Sequence, residues 1–187
     1  MKNESIKNLI DKLSLENAIT LDEIPEIDLY MDQVIQLFEA KYTEALRNEE
    51  EKVLTKTMIN NYAKDKLIIP IKNKKYSKEH LILLSLIYQF KGSLSINDIK
   101  KIMNPIVKSL SEGEEFPLRK LYTEYLEIYD EDVNNFKNTV DKSIENIKPE
   151  EDGYISKMLL LSSFINMSNM YRKLAERIVD DISLSEK

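Results

Sequence analysis

The chain has no cysteine and no tryptophan, and only three glycines, one histidine and five prolines among its 187 residues. Without cysteine there is no disulfide, no thiolate metal site and no thiol nucleophile. The glycines at 92, 113 and 153 stand far apart, so no glycine-rich loop cradles a phosphate. His80 is a lone imidazole without neighbouring ligands, a poor metal site that fits helix-terminal packing. No serine sits in a nucleophile-elbow pattern. Long apolar runs are missing too. The opening MKNESIKNLIDKL lacks the pattern of a signal peptide, and the most apolar stretch, 155–170, is broken by Ser, Asn and Lys. The expectation is a cytoplasmic protein that does not enter the membrane, uses no cofactor or metal and is not an enzyme.

Charge is present but unevenly spread. The whole chain is at −6. From Thr55 to His80, seven lysines (56, 64, 66, 72, 74, 75 and 78) face Asp65 and Glu79, a local +5. Residues 1–54 come to −7 and residues 81–187 to −4. A basic island in an acidic chain is what a localised phosphate-binding face requires. A solvated lysine loop looks the same on charge alone.

With 42% hydrophobic and 32% charged residues and so few turn formers, the composition predicts a mainly α fold. Residues 4–15 carry Ile6, Leu9, Ile10 and Leu13 at helical spacing. A second helix is expected over 28–46, with Asp28 as N-cap and Asp32 in its first turn. Thr55 or Thr57 caps a third, in which Ile59, Tyr62, Ala63 and Leu67 face inward. Lys56, Thr57, Asn60, Asn61 and Lys64 then point outward. Two adjacent asparagines lower helix propensity. Asparagine can pair bidentately with adenine, and threonine can meet a thymine methyl. Thr57, Asn60 and Asn61 are therefore candidate base contacts, although an ordinary wet surface also accommodates them.

Leu67–Ile69 and Lys74–Tyr76 read as two short strands around Pro70–Asn73. Lys72, Lys74, Lys75 and Tyr76, with Lys56 and Lys64, are the candidate phosphate contacts. Ser77 caps the next helix, whose core side is Leu81, Leu84, Leu86, Ile87 and Phe90. Gly92 is expected to end it in a left-handed cap. Ser95 and Asp98 resemble a capping box, and Pro105 should kink or end the helix that follows.

The acidic SEGEEFP at 111–117 is the expected boundary between a domain over 25–111 and a helical one over 112–187, with 1–24 as an N-terminal helix and connector. Helices are expected over 118–129, 131–147 and 154–182. Asp130, Asp132 and Asn134 have the alternate spacing of a calcium loop, but Asn135 and Asp141 stand where glycine and glutamate are needed, so they read as a helix start. The last helix is apolar on most sides in its first half, which predicts a central place in a bundle. Tyr154, Met158, Met167, Met170 and Tyr171 are expected in that core, with an apolar pocket as the other reading.

The segment Tyr62-Ala63-Lys64-Asp65-Lys66-Leu67-Ile68-Ile69-Pro70 resembles the end of the recognition helix and start of the wing in the MerR family. Tyr76-Ser77 with its apolar helix, and Gly92 through Ile99, resemble later landmarks of that family. The resemblance covers about 45 residues. LYMDQV (29–34) and LTKTMINNYAK (54–64) are also similar to a Gram-positive bacterial family of unknown function that is regarded as regulatory. The resemblance implies a MerR-like winged helix-turn-helix with a small β-hairpin wing, followed by a C-terminal helical bundle. Where that family has arginine and tyrosine in the recognition helix, this chain has Asn60 and Asn61, and Lys66 replaces the glycine before the wing.

The expected function is a DNA-binding transcriptional regulator acting on double-stranded DNA. The helix over 55–66 would lie in the major groove and the lysine wing on phosphates. The C-terminal helices are candidates for pairing with a second copy or for sensing an effector that the sequence does not identify. The alternative is a protein-interaction module on the same scaffold without DNA binding.

Overall fold

In the computed structural model, residues 3–48, 50–146 and 153–185 are described. Among them are seven α-helices: α1 (Asn3–Asp11), α2 (Met31–Tyr42), α3 (Lys56–Lys64), α4 (Lys78–Phe90), α5 (Ile96–Glu112), α6 (Leu118–Glu145) and α7 (Gly153–Ser185). Two two-residue strands, β1 (Leu29–Tyr30) and β2 (Lys75–Tyr76), complete the mainly α fold. The fold is organised around α4, in which every residue from His80 to Ile87 is buried. Val34, Phe38 and Tyr42 of α2, Ile59 and Tyr62 of α3, and Ile99, Met103 and Val107 of α5 join it in one core. That core continues across the acidic turn into Leu118 and Tyr122 of α6, so 111/112 does not divide it.

Local chemistry starts the helices. Thr55, not Thr57, caps α3, its hydroxyl accepting from the Met58 N–H at 3.1 Å. Ser95 does the same for α5 with the Asp98 N–H, and its own hydroxyl donates to the Asp98 carboxylate at 2.6 Å. The expected cap of α2 at Asp28 moves to Tyr30, whose N–H donates to the Gln33 side-chain oxygen at 2.9 Å. The shift follows from β1, which holds residues 29 and 30 extended. The long connection from α2 to α3 is fastened by buried Val53 and Leu54 and by the Lys91 ammonium, which donates to the Val53 carbonyl at 3.0 Å.

Four expectations are corrected. The strand at 75–76 pairs antiparallel with β1, Leu29 opposite Tyr76 and Tyr30 opposite Lys75, rather than with 67–69. Leu67 and Ile68 are both buried, so they form an arm of the core instead of an alternating strand. Gly92 is not left-handed; Gly113, at φ 78°, ends α5 that way. Residues 118–145 form one helix, because 129–131 hold no breaker, and Asp130, Asp132 and Asn134 lie within it. Pro105 sits inside α5 without ending it. The fourth correction concerns α7. Tyr154, Met158, Met170 and Tyr171 are 42–71% exposed, so the helix lies outside the core it was expected to centre. Only Leu160 and Phe164 join Val140 and Ile144 of α6 and Ile6 and Ile10 of α1 in a small second cluster.

Two tyrosines tie the connector before α2 to the frame. The Ile19 N–H donates to the Tyr42 hydroxyl at 3.4 Å, and the Tyr122 hydroxyl donates to the Ile19 carbonyl at 2.6 Å. Replacing Tyr122 with Phe strands that buried carbonyl and should cost about 1–3 kcal/mol in a urea titration. At the end of α3, Lys66 takes φ 58°. The Leu67 N–H returns to the Tyr62 carbonyl and the Lys66 N–H to the Ala63 carbonyl, a Schellman closure. A left-handed lysine is strained, so Lys66→Gly should stabilise by about 0.5–1 kcal/mol. Loss of stability in the same titration would contradict that conformation.

Candidate nucleic-acid interface

Burial of Ile59 and Tyr62 turns the opposite side of α3 to solvent. Lys56, Thr57, Asn60, Asn61 and Lys64 are all exposed there. Beyond the arm, residues 72–75 make a tight turn closed by the Lys75 N–H on the Lys72 carbonyl at 2.9 Å. Asn73 and Lys74 both have positive φ, 53° and 59°, the pattern of a type I′ turn. The result is a knob with Lys72, Asn73 and Lys74 exposed and Lys75 half-buried.

The two basic elements meet at the start of α2. The Lys75 ammonium lies 5.5 Å from the centre of the Tyr30 ring. Two residues on, Asp32 pairs with Lys56 at 2.7 Å. Since Tyr30 and Asp32 are separated by two peptide units, the Lys56 and Lys75 ammoniums lie within about 25 Å of each other. The Lys56–Asp32 pair is exposed on both sides and contributes little to stability. Its effect is electrostatic, placing a carboxylate beside the first turn of α3.

Not every predicted contact is available. Tyr76 is 2% exposed, packs edge-on against His80 at 5.7 Å and is pushed above its ordinary pKa by burial. Its pairing with Leu29 turns the ring inward, so it leaves the phosphate-contact set. Lys78, part of the charge island, is buried with its ammonium on Glu26 at 2.5 Å. Among the described residues, no carboxylate is within ion-pair distance of Lys64, Lys66, Lys72, Lys74 or Lys75.

Tyr30 is the residue that sequence reasoning missed. It is 55% exposed, sits beside Lys75 and stands at the N-terminus of α2. The alternation of inward Leu29 and outward Tyr30 was its only signal, and two residues are too few to show a period.

His80 holds the arm behind the knob. Its Nδ1 accepts from the Ser77 N–H at 3.0 Å, so the ring takes the part that glutamate plays in a capping box. Its Nε2–H then donates to the Ile69 carbonyl at 3.2 Å. Next to it, Glu79 receives Arg119 at 2.9 Å, and desolvation of Glu79 is outweighed by that bond together with a backbone hydrogen bond, the Ser77 hydroxyl and the charge of Arg119, leaving its pKa below the ordinary carboxylate value. No metal-binding cluster of three or more His, Asp or Glu occurs among the described residues. No helix among them is long and apolar enough to cross a membrane.

These elements define a mainly α protein whose polar helix face and lysine knob are carried on a single buried helix. The chain belongs to the family described as a domain of unknown function, DUF1836, whose model matches residues 19–125. The match begins at the peptide clasped by Tyr42 and Tyr122 and ends in the first turns of α6, so it takes in the large core. No curated protein and no solved structure matches the chain.

The protonation of His80 gives a pH test. Burial holds its pKa below the ordinary histidine value, so the unfolded chain takes the proton first as pH falls. Stability from this group is complete above about pH 6.5 and declines as pH drops through the lowered folded value. His80→Gln keeps an acceptor for Ser77 and removes the titration. Chemical denaturation from about pH 7.5 to 5 should show the decline in the parent chain and a flatter profile in the variant. Equal slopes would contradict the role of His80.

Proposed function

We propose that the protein is a DNA-binding transcriptional regulator with a MerR-like winged helix-turn-helix arrangement, acting in the cytoplasm. The observation that carries this reading is the outward side of α3, which presents Thr57, Asn60 and Asn61 flanked by Lys56 and Lys64, beside the knob of Lys72, Lys74 and Lys75. A helix of this kind suits the major groove, where asparagine and threonine can read base edges. The knob suits phosphates, and Tyr30 suits the sugar edge next to them. None of this needs catalytic chemistry.

A mobility-shift titration with genomic fragments tests it. If an assembly with two such faces neutralises about six phosphates, log K should fall with log salt at a slope near −5. Changing Lys72, Lys74 and Lys75 together to Glu should abolish retardation. Unchanged affinity would remove the knob from the mechanism. Asn60→Ala should relax sequence preference while leaving the salt slope in place.

The Asp32–Lys56 pair favours a second reading, a module that docks a protein through the same surface, because a carboxylate beside α3 repels phosphate. The two readings separate on Asp32→Asn. A DNA reader gains affinity for duplex, by about threefold or more at low salt, whereas a protein-docking module retards no DNA with or without the change.

A further inference from the structure

Helices α6 and α7 leave an open trough of about 380 Å³ between them. Asp132, Phe136 and Val140 of α6 lie along one wall, four residues apart, on one face of the helix. Phe164, Met167 and Tyr171 of α7 lie along the other, at steps of three and four. The volume is that of a small-molecule cleft, which runs from about 300 to 1,000 Å³.

The two ends of the trough differ. Val140 and Phe164 meet in the small cluster with Leu160, Ile6 and Ile10, so α1 fills the crevice past them. From that apolar end the trough runs toward Asp132 and Tyr171. Asp132 stands eight residues before Val140, about 12 Å along the helix. Phe136 and Tyr171, 39% and 71% exposed, hold their rings open to solvent between those ends.

One charge lines the trough, and it is negative. Asp132 is the sole Asp, Glu, Lys, Arg or His on its walls. Among the described residues no cation is within ion-pair distance of Asp132. The cations on the nearby turns are already engaged, Lys137 with Glu16 and Arg172 with Glu176 at 3.0 Å. Asp130 and Glu131 precede Asp132 and add charge of the same sign.

We propose that this trough binds an aromatic cation, with its apolar body against Phe136, Phe164 and Met167 and its nitrogen between Asp132 and the Tyr171 ring. A protonated or quaternary nitrogen gains from the carboxylate and from the face of an aromatic ring together. Methionine beside phenylalanine adapts to a flat apolar body. An anion would meet the Asp132 carboxylate, and a neutral ligand would cover that carboxylate without pairing it. With α1 across one end, the occupant is a small molecule rather than a through-running peptide. The site stands on α6 and α7 and does not depend on DNA binding.

Fluorescence titration of the full chain with thioflavin T, an aromatic cation, tests the proposal against anilinonaphthalene sulfonate, an aromatic anion. The cation should bind as one equivalent per chain, at least about tenfold more tightly than the anion. Asp132→Asn changes an exposed helix position, so helical content and melting should be retained while affinity for the cation falls about tenfold or more. Affinity for the anion should not fall. Ser168→Trp fills the trough from an exposed position on its wall and should remove cation binding. Amide nuclear magnetic resonance with thioflavin T should place the largest shifts at 132–140 and 164–171. Equal affinity for the two probes overturns the proposal, as does cation binding indifferent to Asp132→Asn or to Ser168→Trp. Shifts centred on the outer sides of α7, or no binding at probe concentrations on the order of 1 mM, would also overturn it.

Discussion

Helix α4 must be enclosed, and most of the architecture follows from that requirement. Leu81, Ile82, Leu83, Leu84, Leu86 and Ile87 are each 2% exposed or less and point in every direction round the helix. At about 1.5–3 kcal/mol for each fully buried aliphatic chain, exposing any one side would be costly. Helices α2, α3, α5 and the start of α6 supply the enclosing surfaces, and the arm at 67–68 fills a remaining gap. Because α3 gives Ile59 and Tyr62 to this enclosure, its polar side has to face water. The candidate interface is thus the outer face of the structure that buries α4.

The arm and knob are held from behind by polar contacts of a different kind. His80 bonds both to the cap of its own helix and to the Ile69 carbonyl. Arg119 of α6 reaches Glu79 and Glu26, and Lys78 also reaches Glu26. These bonds join the connector, the start of α4 and the start of α6 immediately behind the turn at 72–75. A knob that touches phosphates gains from such support, since contact geometry then carries less entropy cost on binding.

Much of this was legible because it is local. The caps at Thr55, Ser77 and Ser95 are short polar residues ahead of apolar periodicity, and they start α3, α4 and α5 as that chemistry directs. The inward and outward sides of α3 follow from a 3.6-residue period. What was not legible depends on distant partners. Pairing of residue 29 with residue 76 joins positions far apart in the chain and involves only two residues on each side. That pairing turned Tyr76 inward and brought Tyr30 to the surface. For α7, hydrophobicity on most sides indicated that the helix needs covering, but not how much of it α1, α5 and α6 would cover.

The central claim is that one exposed surface, made by the start of α2, the outer side of α3 and the 72–75 turn, is shaped to lie on duplex DNA. The most direct measurement is a titration of the isotope-labelled chain with a short duplex, followed by amide nuclear magnetic resonance. The account predicts shifts concentrated at Tyr30–Gln33, Lys56–Lys64 and Lys72–Lys75, with the amides of α4 almost unmoved. Unperturbed spectra at low salt, or shifts centred on any other surface, would contradict it.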